Sequence, residues 1–133
     1  MKELILSIIA IFFSLNINAG DKSGAIIEFA EKRHDFGMIK EENGAVKYVF
    51  EFTNIGNEPL VILDAKATCG CTRPEYPKNP IKPGEKGKIK VTFLPAGRPG
   101  EFNKKINLKT NCKGKLKRVT LSINGVVIPK NDE

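Results

Sequence analysis

Residues 45–54 read AVKYVFEFTN, and their alternation decides the fold class. In an extended chain Val46, Tyr48, Phe50 and Phe52 fall on one side and Lys47, Glu51 and Thr53 on the other, the period of two expected of a strand with one buried face. Turn chemistry follows in Ile55-Gly56-Asn57-Glu58-Pro59. Residues 60–67 (LVILDAKA) then read as a second strand, apolar on both faces and therefore central, joined to the first by a hairpin. The same alternation recurs further on. Residues 88–93 (KIKVTF) point Ile89, Val91 and Phe93 inward. After the turn PAGRPG at 95–100, Phe102, Ile106 and Leu108 share one face, with Asn103, Lys105, Asn107 and Lys109 on the other. Residues 117–127 place Val119, Leu121, Ile123 and Val127 inward, with Arg118, Thr120, Ser122 and Asn124 outward.

Upstream, residues 25–30 (AIIEFA) and 35–39 (DFGMI) form one strand broken around His34, where Gly37 permits a bend. Residues 77–84 (PKNPIKPG) are an edge or a loop, because proline has no amide hydrogen for a central ladder. Six clear strands and a seventh short one, with turns every ten or so residues and no sustained helical period, predict an all-β fold, a seven-stranded immunoglobulin-like β-sandwich. Its core is expected to join Phe50, Phe52, Val91, Phe93, Ile106, Leu121 and Ile123. The polar tail 129–133 is expected to fray.

The first residues read differently. Lys2 precedes an apolar run at 4–15 (LILSIIAIFFSL), followed by Asn16-Ile17-Asn18-Ala19 and then Gly20. A positive start, an apolar centre and a small residue at the cut are the layout of a secretory signal, with cleavage expected after Ala19. The run is shorter than the about 20 residues needed to span a bilayer. With no cysteine after the cut, a lipoprotein anchor is not expected there. Residues 1–19 are thus read as a signal peptide and 20–133 as one domain without a transmembrane segment, periplasmic or secreted. The formal charge of +7 reads first as a solvated, soluble surface and otherwise suits acidic surroundings such as anionic lipid headgroups or acidic glycans. The lysines are not interleaved with exposed aromatics suited to base stacking, which argues against nucleic acid.

Several stretches together resemble a known exported bacterial family: His34-Asp35-Phe36-Gly37-Met38-Ile39; the strand ending Phe52-Thr53-Asn54-Ile55-Gly56 with Pro59-Leu60; Cys69-Gly70-Cys71-Thr72; Ile81-Lys82-Pro83-Gly84; and Ile89-Lys90-Val91-Thr92-Phe93. They are similar to the family called domain of unknown function 1573, over about residues 26–127. That family is similar in layout to Hydin-like and major-sperm-protein-like immunoglobulin folds. The resemblance implies a seven-stranded sandwich and an exported location. It implies no activity, and fold alone does not assign one.

Catalytic chemistry finds little support in the residues. His34 is the single histidine and reads as structural. None of the serines, Ser7, Ser14, Ser23 and Ser122, lies in a nucleophile elbow. The carboxylates Glu28, Glu31, Asp35, Glu41, Glu42, Glu51 and Asp64 are spread over different strands without an acid–base spacing. No glycine-rich loop leads from a strand into a helix. No cofactor is expected.

Three cysteines are the most informative polar feature. Cys69 and Cys71 flank Gly70 just after a strand. Such a pair can close a small disulfide, act as a redox couple, or give two thiolates to a soft metal. Extended residues two apart are about 6.6 Å apart at Cα, near the outer limit for a disulfide, and Gly70 allows the bend that shortens this. A metal site needs further ligands that the sequence does not place nearby. In an immunoglobulin-like strand order Cys112 lies at the opposite end of the sandwich. It is expected to stay unpaired within one molecule and to be available to link two chains. Lys105, Lys109 and Arg118 all point outward where the last two strands pair, forming a possible basic partner face. The chain therefore reads as an exported non-enzymatic binding or structural module of the cell envelope, whose partner is an envelope protein or an acidic glycan or lipid surface. The rival reading is a small thiol redox or metal-handling protein using Cys69 and Cys71.

Overall fold

The computed structural model describes residues 23–131; the signal-peptide reading of residues 1–19 lies outside them. Among the described residues eight strands form two four-stranded sheets. In chain order they are β1 (Ile27–Phe29), β2 (Arg33–Lys40), β3 (Val46–Asn54), β4 (Ile62–Ala67), β5 (Thr72–Glu75), β6 (Lys86–Phe93), β7 (Gly100–Thr110) and β8 (Arg118–Ile128). One sheet, called the first here, has the order β1-β3-β6-β5, and the second has the order β2-β8-β7-β4. Short 3₁₀ turns at Glu41–Asn43 and Gly114–Lys117 complete the regular structure.

The alternation in β3, β6, β7 and β8 has the phase expected. Phe50, Phe52, Val91, Phe93, Ile106, Leu121 and Ile123 are all at most 1 % exposed and lie between the sheets. Phe93 of the first sheet stacks on Phe102 of the second, with ring centroids 4.0 Å apart. Truncating a phenylalanine in such a core removes both its transfer free energy and its packing contacts, a cost of about 3–5 kcal/mol.

The strand count and the placement of two upstream segments differ from expectation. The strand count is eight rather than seven. The upstream strand breaks at residues 30–32 rather than at His34, and its halves join different sheets: β1 pairs antiparallel with β3, and β2 pairs parallel with β8. His34 lies inside β2, its ring stacked on Tyr48 of the facing sheet at 3.6 Å. The Gly37 bend is a β-bulge between Asp35 and Met38; the glycine has φ +68°, and its N–H donates to Asp35 Oδ1 at 2.8 Å.

The strand at 60–67 is neither central nor half of a hairpin with β3. Its ordered part, β4, is an edge of the second sheet paired with β7, so the chain crosses between sheets after Asn54. The pairing has a register shift between Ile62 and Asp64. Ile62 is buried, whereas Leu63 beside it is 50 % exposed. The added strand, β5, carries Pro74 and sits at the edge of the first sheet, where a missing amide hydrogen costs no ladder bond. Residues 77–84 form a loop with one bridge, Leu60 to Ile81.

Asn54 fastens one end of the sandwich. Its side chain is fully buried; Nδ2 donates to the carbonyls of Glu58 (2.8 Å) and Ile81 (2.9 Å), and Oδ1 accepts from Gly56 N–H at 3.0 Å. The buried amide thus satisfies loop backbone groups that would otherwise be left unpaired. Near the other end Glu41 does similar work at the surface, accepting from the N–H groups of Gly97 and Lys130. Those bonds hold the Glu41 carboxyl below the usual glutamate range. They also tie down Lys130 within the tail expected to fray, whose last two residues lie outside the described residues.

Candidate functional site

Two features bring candidate functional residues together, and both depend on the edge strand β4. The first is the outer face of the second sheet. Antiparallel pairing sets Lys109 directly opposite Arg118 and Lys105 opposite Ser122. On the other side β4 sets Asp64 beside Lys109 and Lys66 beside Asn107. At the far edge β2 places Arg33 next to Ser122. Lys66, Lys105, Lys109, Arg118 and Arg33 are all exposed. They surround a neutral centre in which Thr120 Oγ1 donates to Asn107 Oδ1 at 2.9 Å. Asp64, Lys66, Asn107, Lys109, Arg118 and Thr120 line a shallow depression in this face.

Among the described residues the one ion pair on this face joins Lys66 to Asp64 at 3.9 Å. Lys109 and Arg118 repel across their strands, and Asp64 beside Lys109 offsets part of that repulsion. The sequence supplied Lys105, Lys109 and Arg118. It did not supply Lys66 and Arg33, because the register of β4 and the parallel pairing of β2 leave no signal in their own strands.

The second feature is the turn between β4 and β5, where the chain passes from one sheet to the other. Thr68 N–H donates to Lys105 O at 3.0 Å, and Thr72 N–H donates to Cys69 O at 3.1 Å, closing a four-residue turn. Cys71 O accepts from Leu94 N–H at 2.8 Å, which anchors the turn to the chain leaving β6. Within it Cys69 and Cys71 form a disulfide, with Cα atoms 5.2 Å apart. Gly70 has no positive φ, so the shortening needs no glycine conformation. A Cβ built at Gly70 meets nothing within 4 Å.

Cys71 is 1 % exposed and belongs to the core, whereas Cys69 is partly exposed. Cys69, Gly70, Thr72 and Arg73 line an open groove. A disulfide closing so short a loop restrains the unfolded chain little, about 1.6 kcal/mol in the chain-entropy picture, against about 4.7 for a 100-residue loop.

Cys112 lies at the opposite end of β4. Beside it the Asn111 side chain accepts from Val61 N–H at 2.8 Å and donates to Pro59 O at 3.0 Å. Cys112 is free and only 4 % exposed. So buried a thiol presents little surface with which to link two chains. Among the described residues no group of three or more His, Cys, Asp or Glu is placed to hold a metal ion, and no helix is long and apolar enough to cross a membrane.

Residues 27–127 match the family described as "Protein of unknown function (DUF1573)". The chain belongs to that family. No curated protein matches it by sequence. Among solved structures it is similar to a protein of unknown function from Porphyromonas gingivalis W83, with TM-score 0.69 and 15 % identity, over 81 % of this chain and 49 % of that one. The chain therefore spans about half of that protein's length. It is also similar to PapD-like domain 7 of human CEP192, with TM-score 0.58 and 15 % identity, over 87 % of this chain and 93 % of that one. A third likeness is to the CsuC–CsuE chaperone–tip adhesion subunit pre-assembly complex of Acinetobacter baumannii, with TM-score 0.51 and 13 % identity, over 79 % of this chain and 57 % of that one. At these identities the likenesses establish the immunoglobulin-like, PapD-like fold and leave function to this chain's own residues.

Proposed function

We propose that this member of the DUF1573 family is an exported, non-enzymatic binding module of the cell envelope that docks an acidic partner on the outer face of its second sheet. The observation that carries the reading is the group of exposed cations drawn from four strands, Lys66, Lys105, Lys109, Arg118 and Arg33, around the Asn107–Thr120 pair. Cations held on a rigid sheet lose little backbone freedom on binding, so an array of carboxylates, phosphates or sulfates meets a preorganised surface. The Csu pre-assembly complex, built around a chaperone, shows a similar sandwich engaged with a protein partner.

Export is supported by the leader-like sequence at 1–19, and protein recovered from the envelope fraction is expected to begin at Gly20. Recovery of chains beginning at Met1 from that fraction would remove this part of the reading.

Docking is tested by co-sedimentation with phosphatidylglycerol vesicles and by retention on a polyuronate glycan, each at rising salt. Exposed charges are screened over about 10 Å at 0.1 M salt, so binding should weaken steadily as salt rises. Binding that is insensitive to salt, or equal to neutral phosphatidylcholine vesicles, would contradict an electrostatic face. Capture of an acidic envelope protein without vesicle or glycan binding would assign the face to a protein partner.

A further inference from the structure

We infer that the Cys69–Cys71 disulfide is a thiol–disulfide exchange site that takes electrons from a pair of cysteines on an exposed polypeptide segment, with Cys69 as the sulfur attacked. This goes beyond the docking function and does not depend on it.

The first observation is the asymmetry of the two sulfurs. Cys71 is 1 % exposed and packed in the core, while Cys69 is partly exposed in an open groove with Gly70 and Arg73. A nucleophile arriving from solvent therefore meets Cys69. Gly70 carries no side chain to cover the approach, and the Arg73 guanidinium favours an incoming thiolate over a thiol.

The second observation is that each sulfur already has a hydrogen-bond donor. A disulfide sulfur carries no proton, so the contact of 3.6 Å between Cys71 Sγ and Thr72 Oγ1 has the Thr72 hydroxyl as donor, at a distance suited to the larger sulfur atom. Thr72 is itself only 3 % exposed. Cys69 Sγ accepts from the Cys71 N–H at 3.1 Å. Both donors point at atoms that become thiolates when the bond opens, and a stabilised thiolate is the better leaving group.

The chemistry follows from these positions. A partner thiolate attacks Cys69 Sγ; the new bond joins the partner sulfur to Cys69, the Cys69–Cys71 bond breaks, and its electron pair stays on Cys71 as a thiolate held by Thr72. The partner's second thiolate then attacks its own first sulfur and closes the partner's disulfide. This releases Cys69 as a thiolate, which the Cys71 N–H receives. The partner dithiol loses two electrons and two protons, and Cys69 and Cys71 gain both. One disulfide of this protein is consumed for each one formed, so the step is stoichiometric transfer. The shallow, open groove suits a cysteine pair on a flexible segment rather than one buried in a folded domain.

The experiment uses the oxidised Cys112→Ser protein, which leaves Cys69 and Cys71 as the reacting pair, mixed with a synthetic peptide carrying two cysteines. Acid quenching and peptide mapping should find the mixed disulfide on Cys69. Thr72→Val should slow reduction about tenfold and raise the pH at which the Cys71 thiol of the Cys69→Ser variant becomes reactive. The same change should leave alkylation of Cys69 in the Cys71→Ser variant unaltered. A mixed disulfide on Cys71, or Thr72→Val and parent reduced at the same rate as a free Cys-Gly-Cys peptide, would overturn the inference. If Thr72→Val loses its cooperative melt, alkylation decides: Cys69 in Cys71→Ser should react at least about tenfold faster than Cys71 in Cys69→Ser, and equal rates would overturn it.

Discussion

The two outer faces of this sandwich carry similar residue types in different arrangements. On the first sheet the acidic residues are set among the basic ones: Glu51 pairs opposite Lys88, and Glu75 opposite Lys90 with a contact of 3.9 Å. On the second sheet the cations predominate at one end. Lys109 opposes Arg118, with Lys66, Lys105 and Arg33 nearby and Asp64 the one carboxylate among them, while Asp35 and Glu101 lie towards the other end of the same face. The cross-strand pairs of the first face support the fold, whereas on the second the Lys109–Arg118 opposition acts against it and Asp64 opposite Lys109 offsets it in part. Net charge read from composition cannot distinguish these arrangements; strand register does.

Both faces rest on one core, and a change in that core carries the largest expected effect. Phe50→Ala should lower stability by about 3–5 kcal/mol in denaturant unfolding, and both faces should be lost in the same transition. Unchanged stability would mean the phase of β3 is wrong. A smaller pair of effects addresses the faces directly. Arg118→Thr removes a like-charge opposition and should raise stability by about 0.2–1 kcal/mol, while Glu51→Lys creates one against Lys88 and should lower it by a similar amount. Equal effects of the same sign would erase the distinction between the sheets.

The smallest effect belongs to neither face but to the Glu41 clasp near the loop ends. Because the folded state lowers this carboxyl's pKa, its stabilising contribution is present above the unfolded glutamate range and is lost as pH falls through the folded value. The melting temperature should therefore decline with acid more steeply in the parent than in Glu41→Gln. Parallel pH profiles would show that the bonds to Gly97 and Lys130 contribute nothing.

The sequence made β3, β6, β7 and β8 legible because each has one buried face and keeps strict alternation. It misled at β4, where Ile62 and Leu63 are both apolar yet take opposite environments, and at β5, where Pro74 hid a short edge strand. It also misplaced the break before β2, since nothing local distinguishes a bent strand from one that changes sheets. The basic face was partly legible for the same reason. Lys105, Lys109 and Arg118 lie on the long alternating strands, whereas Lys66 and Arg33 join them through pairings between distant segments. The adjacent cysteines were visible at once, but the burial of one and exposure of the other depends on the sheet-to-sheet crossing that holds them.

The central claim, that the second sheet's outer face is the docking surface, is tested most directly by comparing two double charge reversals. Salt-dependent binding to phosphatidylglycerol vesicles and to a polyuronate glycan would be measured for the parent, for Lys105→Glu with Lys109→Glu, and for Lys88→Glu with Lys90→Glu. The two variants change net charge equally, so long-range attraction is matched and position alone differs. Reversal on the second sheet should weaken binding by about tenfold or more, ~1.4 kcal/mol, while reversal on the first should change it by less than about threefold. Equal losses from the two variants would show that the protein binds through overall charge, and the docking face would be wrong.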